Sequence, residues 1–201
     1  MRILRTVWLS AWVTAVASVA VAAGFRWLPE TEKWTEAAGT AAGSAVESFV
    51  TADYYGLEAL KLWDFDGRTC ALQLEQSSFN APSLHPLDAV RVCEPKQTQA
   101  WQRVDVGSGN FVRAISVCTA LKGSAGELRG VELWGAAPDA NGKLKPAKQS
   151  VKLEFPHCEK WSPRRECPDG SVATGIRAHL ASPDSGTVGV ALRCHSLALA
   201  K

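Results

Sequence analysis

This sequence of 201 residues lacks the features that usually reveal a function at once. Its 22 Lys and Arg are nearly balanced by 20 Asp and Glu, whereas a nucleic-acid binder needs a dominant basic face. It has no Gly-x-Ser-x-Gly, no His-Glu-x-x-His and no glycine-rich phosphate loop before a helix. Its four His are too scattered to argue for a catalytic triad. We therefore predict a protein that is not an enzyme, holds no cofactor or metal, and binds no nucleic acid.

Two short motifs remain as candidates for chemistry. The run Gly107-Ser108-Gly109-Asn110 comes closest to a phosphate loop, but it lies between two strand-like runs and so predicts a turn. Asp64 and Asp66 are the only candidate pair of catalytic carboxylates. Asp-Phe-Asp-Gly is more typical of a strand that ends in a turn.

Charge is also missing from one long stretch near the N-terminus. Thr6–Phe25 holds twenty residues without a charge, which as a helix would span about 30 Å, the thickness of the bilayer core. The basic residues Arg2 and Arg5 precede this stretch. The small-x-small run at 20–22 would also suit a cleaved secretory signal. Both interpretations leave the N-terminus cytoplasmic and place the main domain across the membrane, in the periplasm or outside the cell.

Three tryptophans favour an anchor that is not cleaved. Trp8, Trp12 and Trp27 lie near the two ends of the apolar stretch, where interfacial aromatic residues are common. We therefore predict one transmembrane helix within 1–27. Residues 28–53, which include an Ala/Gly/Ser-rich run, are predicted to form a stalk or linker, with a partly helical alternative. Residues 54–201 are predicted to form an extracytoplasmic β domain.

The predicted domain contains a threefold pattern of short strands. Each repeat has two runs that begin with a small residue and continue apolar, polar, apolar. The runs begin at Ala71 and Ala89, at Ala114 and Gly130, and at Gly175 and Gly189. A further strand-like run precedes each pair, at 61–65, 101–106 and 151–155. The Asn141-Gly142 dipeptide before the last of these predicts a hairpin turn.

The simplest architecture for this pattern is all-β, with three short antiparallel sheets in a pseudo-threefold arrangement around one core. A β-sandwich whose strands merely look alike is the alternative. The apolar positions of the runs alternate with polar ones, so they are expected to face inward. The predicted core is Leu72, Leu74, Val90, Val92, Ile115, Val117, Val131, Leu133, Ile176, Val190 and Leu192.

The third repeat resembles a known family. Its Cys167-Pro168-Asp169-Gly170 start, followed by Gly175, Gly189 and Cys194, is similar to one repeat of the vitelline membrane outer layer protein family. The resemblance is close over residues 167–194. It implies a β-prism of three repeats, in a secreted structural or sugar-associated protein without an assigned catalytic residue.

All six cysteines lie in the predicted β domain, and an even number in an exported chain predicts up to three disulfides. Cys158 and Cys167 are close in sequence around a Pro-containing loop, so we favour that pair, with Cys70–Cys93 second. Neighbouring His residues also allow a metal site. Adjacent residues of a strand point to opposite faces, however, which disfavours shared ligation. The disulfide candidates are Cys70, Cys93, Cys118, Cys158, Cys167 and Cys194.

A basic stretch and two tryptophans are the candidates for binding. Residues 143–165 hold seven basic and two acidic residues, which could meet anionic lipid or an acidic partner or simply be a solvated surface. Trp134 and Trp161 could lie on a sugar-binding or partner-binding face or be buried. The candidate residues for partner or ligand binding are Trp134, Trp161, Lys143, Lys145, Arg164 and Arg165.

Two functions follow from these observations. The first is a non-enzymatic, membrane-tethered binding or scaffold module, an accessory subunit that contacts a membrane protein complex through its N-terminal helix and its β domain. The alternative is a secreted, lectin-like protein whose partner is a glycan. In that case the loops around Ser83, Lys122 and Asp184 would contribute shallow sites.

Overall fold

The computed structural model describes residues 24–65, 68–92, 101–121, 126–147, 149–182 and 186–200. The regular structure of these residues is β-strand, apart from a short 3₁₀ turn at Pro29–Thr31. No helix in the described ranges is long and apolar enough to cross a membrane. Residues 1–23, which hold most of the predicted membrane segment with Trp8 and Trp12, lie outside the described residues.

Seventeen strands are present in the described ranges. In chain order they are β1 Phe25–Trp27, β2 Lys33–Trp34, β3 Ala38–Gly39, β4 Ser44–Phe49, β5 Tyr55–Phe65, β6 Arg68–Ser78, β7 Leu84–Pro86, β8 Val90–Arg91, β9 Gln102–Asp105, β10 Phe111–Thr119, β11 Leu128–Pro138, β12 Leu144–Pro146, β13 Val151–Glu154, β14 Lys160–Trp161, β15 Arg165–Glu166, β16 Ser171–Leu180 and β17 Thr187–Leu199.

The strands form three antiparallel sheets, each built on one long hairpin. Sheet A has β5 and β6 at its centre, with β9 beside β5 and with β7 and β8 beside β6. Sheet B centres on β10 and β11, flanked by β14 and β15 on one side and by β12 and β13 on the other. Sheet C centres on β16 and β17, flanked by β4 on one side and by β1, β2 and β3 on the other. The predicted arrangement of three antiparallel sheets is confirmed, and the alternative, a β-sandwich, is not observed in the described residues.

One apolar core is shared by the three sheets. Alternate residues of the long strands enter it, as Leu72 and Leu74 do from β6 while Gln73 between them stays outside. All eleven residues predicted for the core belong to this cluster. Burial of this apolar surface is the main favourable term in folding.

A second, smaller apolar cluster lies where β5, β10 and β16 begin. The rings of Phe79 and Phe111 meet edge to face at 4.6 Å between centroids. Gly56 leaves room for them, because a Cβ there would lie 2.6 Å from Cδ1 of Phe111. A glycine at this strand position is therefore required by the close approach of a ring.

In the first repeat, the long hairpin is formed by a different pair of strands from the one predicted. The run beginning at Ala71 pairs with the run beginning at Ala89 only through two residue pairs of β6 and β8. Its main partner is β5, which contains the 61–65 run predicted to precede the pair. Pro82 and Pro86 lie in the connection from β6 to β8, and proline shortens strand pairing because it cannot donate a ladder hydrogen bond.

Residues 25–49 contain strands of the β domain, where the end of an anchor and a stalk were predicted. Trp27 lies in a strand and not at the end of a helix: it pairs with Leu197 in sheet C, and its indole N–H donates to the Ala52 carbonyl at 3.1 Å. Within the predicted stalk, β4 lies along β16 over six residue pairs. Small residues suit the predicted stalk because it packs closely against sheet C. Ala38 of β3, for example, is fully buried opposite Val190 of β17.

The preferred cysteine pairing is wrong. Cys118 bonds to Cys158 and Cys167 bonds to Cys194, with Cα atoms 5.5 and 5.6 Å apart. Cys158 and Cys167 cannot meet, because the chain between them runs along β10 for roughly 20 Å, from the Thr119 end to the Arg113 end.

The second predicted pair can be followed only in part. Cys70 is disulfide-bonded. Cys93, its predicted partner, lies outside the described residues.

We predict that each described disulfide stabilises the domain to a similar degree. The bridges close segments of 40 and 27 residues, so replacing both cysteines of either pair by Ala should lower the free energy of unfolding by about 2–4 kcal/mol. Urea denaturation of the two double variants measures this loss. A midpoint equal to that of the unaltered protein would contradict it.

Candidate functional site

The two predicted tryptophans lie on the outer face of sheet B. On β11, Val131 and Leu133 enter the core, so the alternate residues Glu132 and Trp134 face outward. Trp134 pairs across the ladder with Ala114. Trp161 of β14 pairs with Cys118, four residues farther along the same strand β10.

Trp161 lies over a position kept free by glycine. A Cβ at Gly130 would lie 3.3 Å from Cη2 of the Trp161 ring and 2.9 Å from the Leu153 carbonyl oxygen. The Lys152 ammonium lies 4.3 Å from the centroid of the Trp161 ring. Lys152 also contacts Glu154 at 2.5 Å. The ring is thus half-buried beneath a cation that has its own carboxylate partner.

Trp134 is also covered by a cation that has a carboxylate partner. The Arg164 guanidinium carbon lies 4.6 Å from the Trp134 ring centroid, and Arg164 Nε contacts Glu166 Oε1 at 2.7 Å. Both ring–cation–carboxylate units lie on one side of one sheet. We call this surface the tryptophan face and define it by Trp134, Arg164, Trp161, Lys152 and the polar residues between them.

Hydrogen bonds fix the polar residues between the two rings. Ser116 Oγ donates to the Ser162 carbonyl at 2.8 Å, and the Val117 amide donates to Ser162 Oγ at 3.1 Å. Ser150 Oγ donates to Glu132 at 2.6 Å. The middle of the face is therefore rigid and rich in acceptors.

The other basic candidates lie elsewhere. Lys143 and Lys145 are exposed at the Asn-Gly turn, where Lys145 lies 3.7 Å from Asp139. Backbone hydrogen bonds from Asn141 and Lys143, together with the Lys145 charge, lower the pKa of Asp139. Arg165 pairs with Ile115 and contacts Glu36 at 2.6 Å, so it faces away from Arg164.

Several members of the tryptophan face could not be recognised from the sequence. Lys152 was one of the seven basic residues but was not singled out, and Ser116, Ser162 and Glu132 gave no signal. The only clue to Lys152 was its place in an alternating strand beside the apolar Val151.

The loop candidates can be followed only at Ser83. Its Oγ lies 2.9 Å from Nε2 of His85, and the Tyr55 ring contacts the His85 ring edge to face at 5.9 Å. Lys122 and Asp184 lie outside the described residues.

The carboxylate candidates are structural where they are described. Asp64 forms an ion pair with the buried Arg129, whose Nε donates to the Pro156 carbonyl at 2.9 Å. Asp66 lies outside the described ranges, within which no group of three His, Cys, Asp or Glu could hold a metal. The run 107–110 forms the predicted turn, with the Asn110 amide donating to the Gly107 carbonyl at 2.9 Å.

Sheet A has a different outer face. Glu75 is buried between Lys61, at 2.7 Å, and Arg103, which also contacts Asp105 at 2.7 Å. Burial raises the pKa of Glu75, but hydrogen bonds from Lys61 and Arg103 outweigh that effect and leave the pKa lowered. These charges neutralise one another.

His195 is buried on sheet C rather than placed for catalysis. Its Nδ1 lies 2.6 Å from Thr174 Oγ1, its ring centroid lies 4.3 Å from that of Trp27, and its Nε2 lies 3.8 Å from Glu32. Burial, and then the charge of Arg193, lower the pKa of His195, while Glu32 opposes them. No substrate can reach a side chain that is fully buried.

Comparison with known proteins separates fold from family. No protein-family model matches the chain, and no curated protein matches it. Among solved structures, the Calystegia sepium agglutinin matches with 12% identity and a TM-score of 0.51, over 81% of this chain and 95% of its own. The fold is a β-prism. The Calsepa lectin in complex with a biantennary N-glycan matches with 11% identity and a TM-score of 0.53, over the same shares.

This result confirms part of the resemblance stated for residues 167–194. The β-prism is confirmed, but membership of the vitelline membrane outer layer protein family is not shown. Identity of 11–12% supports the fold alone.

We predict that His195 makes the β-prism less stable in mild acid. Its pKa is lowered on folding from about 6.5, so the unfolded chain binds the proton more readily. The stability contribution of neutral His195 is therefore complete above about pH 6.5 and is lost as the pH falls toward the lower folded pKa. Urea midpoints at pH 7.5 and 5.5 measure the loss, and His195→Asn should reduce it. His85→Asn, at an exposed position, is the control, and an unchanged loss in H195N would contradict the assignment.

Proposed function

We propose that this β-prism is a non-enzymatic carbohydrate-binding domain that uses the tryptophan face. The observation that carries the proposal is the pair of half-buried indole rings, Trp134 and Trp161, on one side of one rigid sheet. The agglutinin and the lectin that share the fold support it, since the lectin was solved with a biantennary and with a bisected glycan.

The chemistry of the face suits a sugar. Aromatic rings offer flat apolar surface with little rotamer entropy to lose, which matches the C–H faces of a pyranose. Glu132 and the Ser162 carbonyl offer acceptors for hydroxyl groups. Because the β-ladder and the Ser116–Ser162 hydrogen bonds hold these groups in place, little order has to be gained on binding.

The disulfides support a location outside the cytoplasm. Bonds such as Cys118–Cys158 and Cys167–Cys194 persist in oxidising compartments. We propose a periplasmic or extracellular domain, with the N-terminus in the cytoplasm if the uncharged stretch that begins at Thr6 is retained. The strand that begins at Phe25 would then follow the membrane segment without a stalk.

A second candidate is the membrane-tethered scaffold that contacts a membrane protein complex. It is favoured by the uncharged stretch Thr6–Phe25 and by Val46 and Phe49, which are exposed on the edge strand β4. An edge strand with exposed apolar residues is a surface to which another chain can add.

A glycan array probed with the full chain, exported to an oxidising compartment, distinguishes the two candidates. We expect saturable binding to one class of glycan, and we expect Trp134→Ala and Trp161→Ala each to weaken it by about tenfold, or ~1.4 kcal/mol. The matched control is Trp34→Ala, which removes a half-buried tryptophan beneath Arg177 on sheet C. Binding to no glycan would favour the scaffold, and binding that W134A and W161A leave unchanged would exclude this face.

A further inference from the structure

We infer that the tryptophan face selects acidic oligosaccharides, those that carry carboxylate or sulfate groups, over neutral ones. This inference rests on the proposed function and names its ligand class. It follows from the two cations that cover the rings, from the weakness of their present ion pairs, and from the distance between the two units.

The cations decide what can reach the rings. Lys152 lies 4.3 Å over Trp161 and Arg164 lies 4.6 Å over Trp134. A neutral sugar that stacked on either indole would have to displace a cation that the ring attracts. A sugar with an anionic group would instead bind that cation as it approached the ring, so the same side chain would aid binding.

The present partners of these cations are easily exchanged. Lys152–Glu154 and Arg164–Glu166 are exposed pairs, with side chains 45% and 47% exposed in the first and 40% and 43% in the second. Ion pairs with this exposure contribute little net stability. A ligand carboxylate or sulfate can therefore replace the glutamate while the glutamate returns to water.

Buried ion pairs of the same domain differ in this respect. The Arg129 side chain is only 2% exposed, and its guanidinium has Asp64 and the Pro156 carbonyl as fixed partners. Removing one partner of such a pair would leave a buried charge uncompensated. The domain therefore contains one fixed cation, Arg129, in its interior and two exchangeable cations on the tryptophan face.

The spacing of the two units sets the size of the ligand. Their ladder partners Ala114 and Cys118 are four residues apart on β10, which corresponds to about 13 Å along the strand. Glu132 lies between the units and accepts a hydrogen bond from Ser150. A ligand that engages both units must therefore be an oligosaccharide with acidic groups toward its two ends and hydroxyl groups in its middle.

The test is an array of matched glycan pairs, probed with the full exported chain. Each pair has one backbone in an acidic and a neutral form: a uronate and its methyl ester, a sulfated chain and its desulfated form, a sialylated glycan and its desialylated form. We expect the acidic member to bind at least tenfold more tightly, longer chains to bind more tightly than single sugars, and the preference to shrink at high salt because salt screens exposed charges.

Charge-removing variants locate the preference. Lys152→Gln and Arg164→Gln should each reduce binding of the acidic member by roughly tenfold and bring the two members of a pair closer in affinity. Arg177→Gln is the matched control, because Arg177 also covers a tryptophan, Trp34 at 4.1 Å, and also pairs with an exposed glutamate, Glu47. Thermal unfolding of all three variants controls for loss of the fold.

Three results would overturn the inference, and only the last of them is also a failure of the proposed function. Equal or tighter binding of the neutral members would refute acidic selectivity while leaving a carbohydrate-binding domain. A preference for acidic members that survives both K152Q and R164Q would place the selectivity elsewhere. Binding to no member of any pair would refute the proposed function, and the inference with it.

Discussion

The completeness of sheet C is the constraint on which the rest of the structure depends. Its central hairpin, β16 and β17, comes from the C-terminal part of the chain, but its flanking strands β1 to β4 come from residues 25–49. A core shared by three sheets stays dry only if each sheet is wide enough to cover its side. Pairing of the two ends of the described chain therefore closes the prism. One hydrogen bond between these ends runs from the Leu192 amide to Thr35 Oγ1, at 2.9 Å.

The sequence predicted well those features that depend on local alternation. Leu72 and Leu74 on one strand, and Val131 and Leu133 on another, were placed correctly because period two fixes which residues face inward. Asn141-Gly142 was placed correctly because a left-handed glycine favours a tight turn, and Gly142 has a φ of 79°.

Features that depend on distant pairing were predicted poorly. An Ala/Gly/Ser-rich run resembles a linker unless the strand beside it is known, and β16 lies about 130 residues further along the chain, as in the pair Arg177 and Glu47. Cys158 and Cys167 are near in sequence but separated along β10. The tryptophan face was hard to predict for the same reason, because Trp134, Lys152 and Arg164 become neighbours only through the ladder of sheet B.

The outer faces explain how one fold leaves room for function. The inward residues of the long strands serve the core, so function is left to the outward residues. Sheet A has the buried Glu75 between Lys61 and Arg103, whereas sheet B has two rings beneath cations whose glutamate partners are exposed.

The most direct measurement is a titration followed by the indole N–H resonances of the full chain, with the glycan that binds most tightly. We predict that the resonances of Trp134 and Trp161 shift together and saturate at one dissociation constant, while those of Trp34 and the buried Trp63 stay in place. Saturating shifts confined to Trp34, or to backbone amides of sheets A and C, would contradict it.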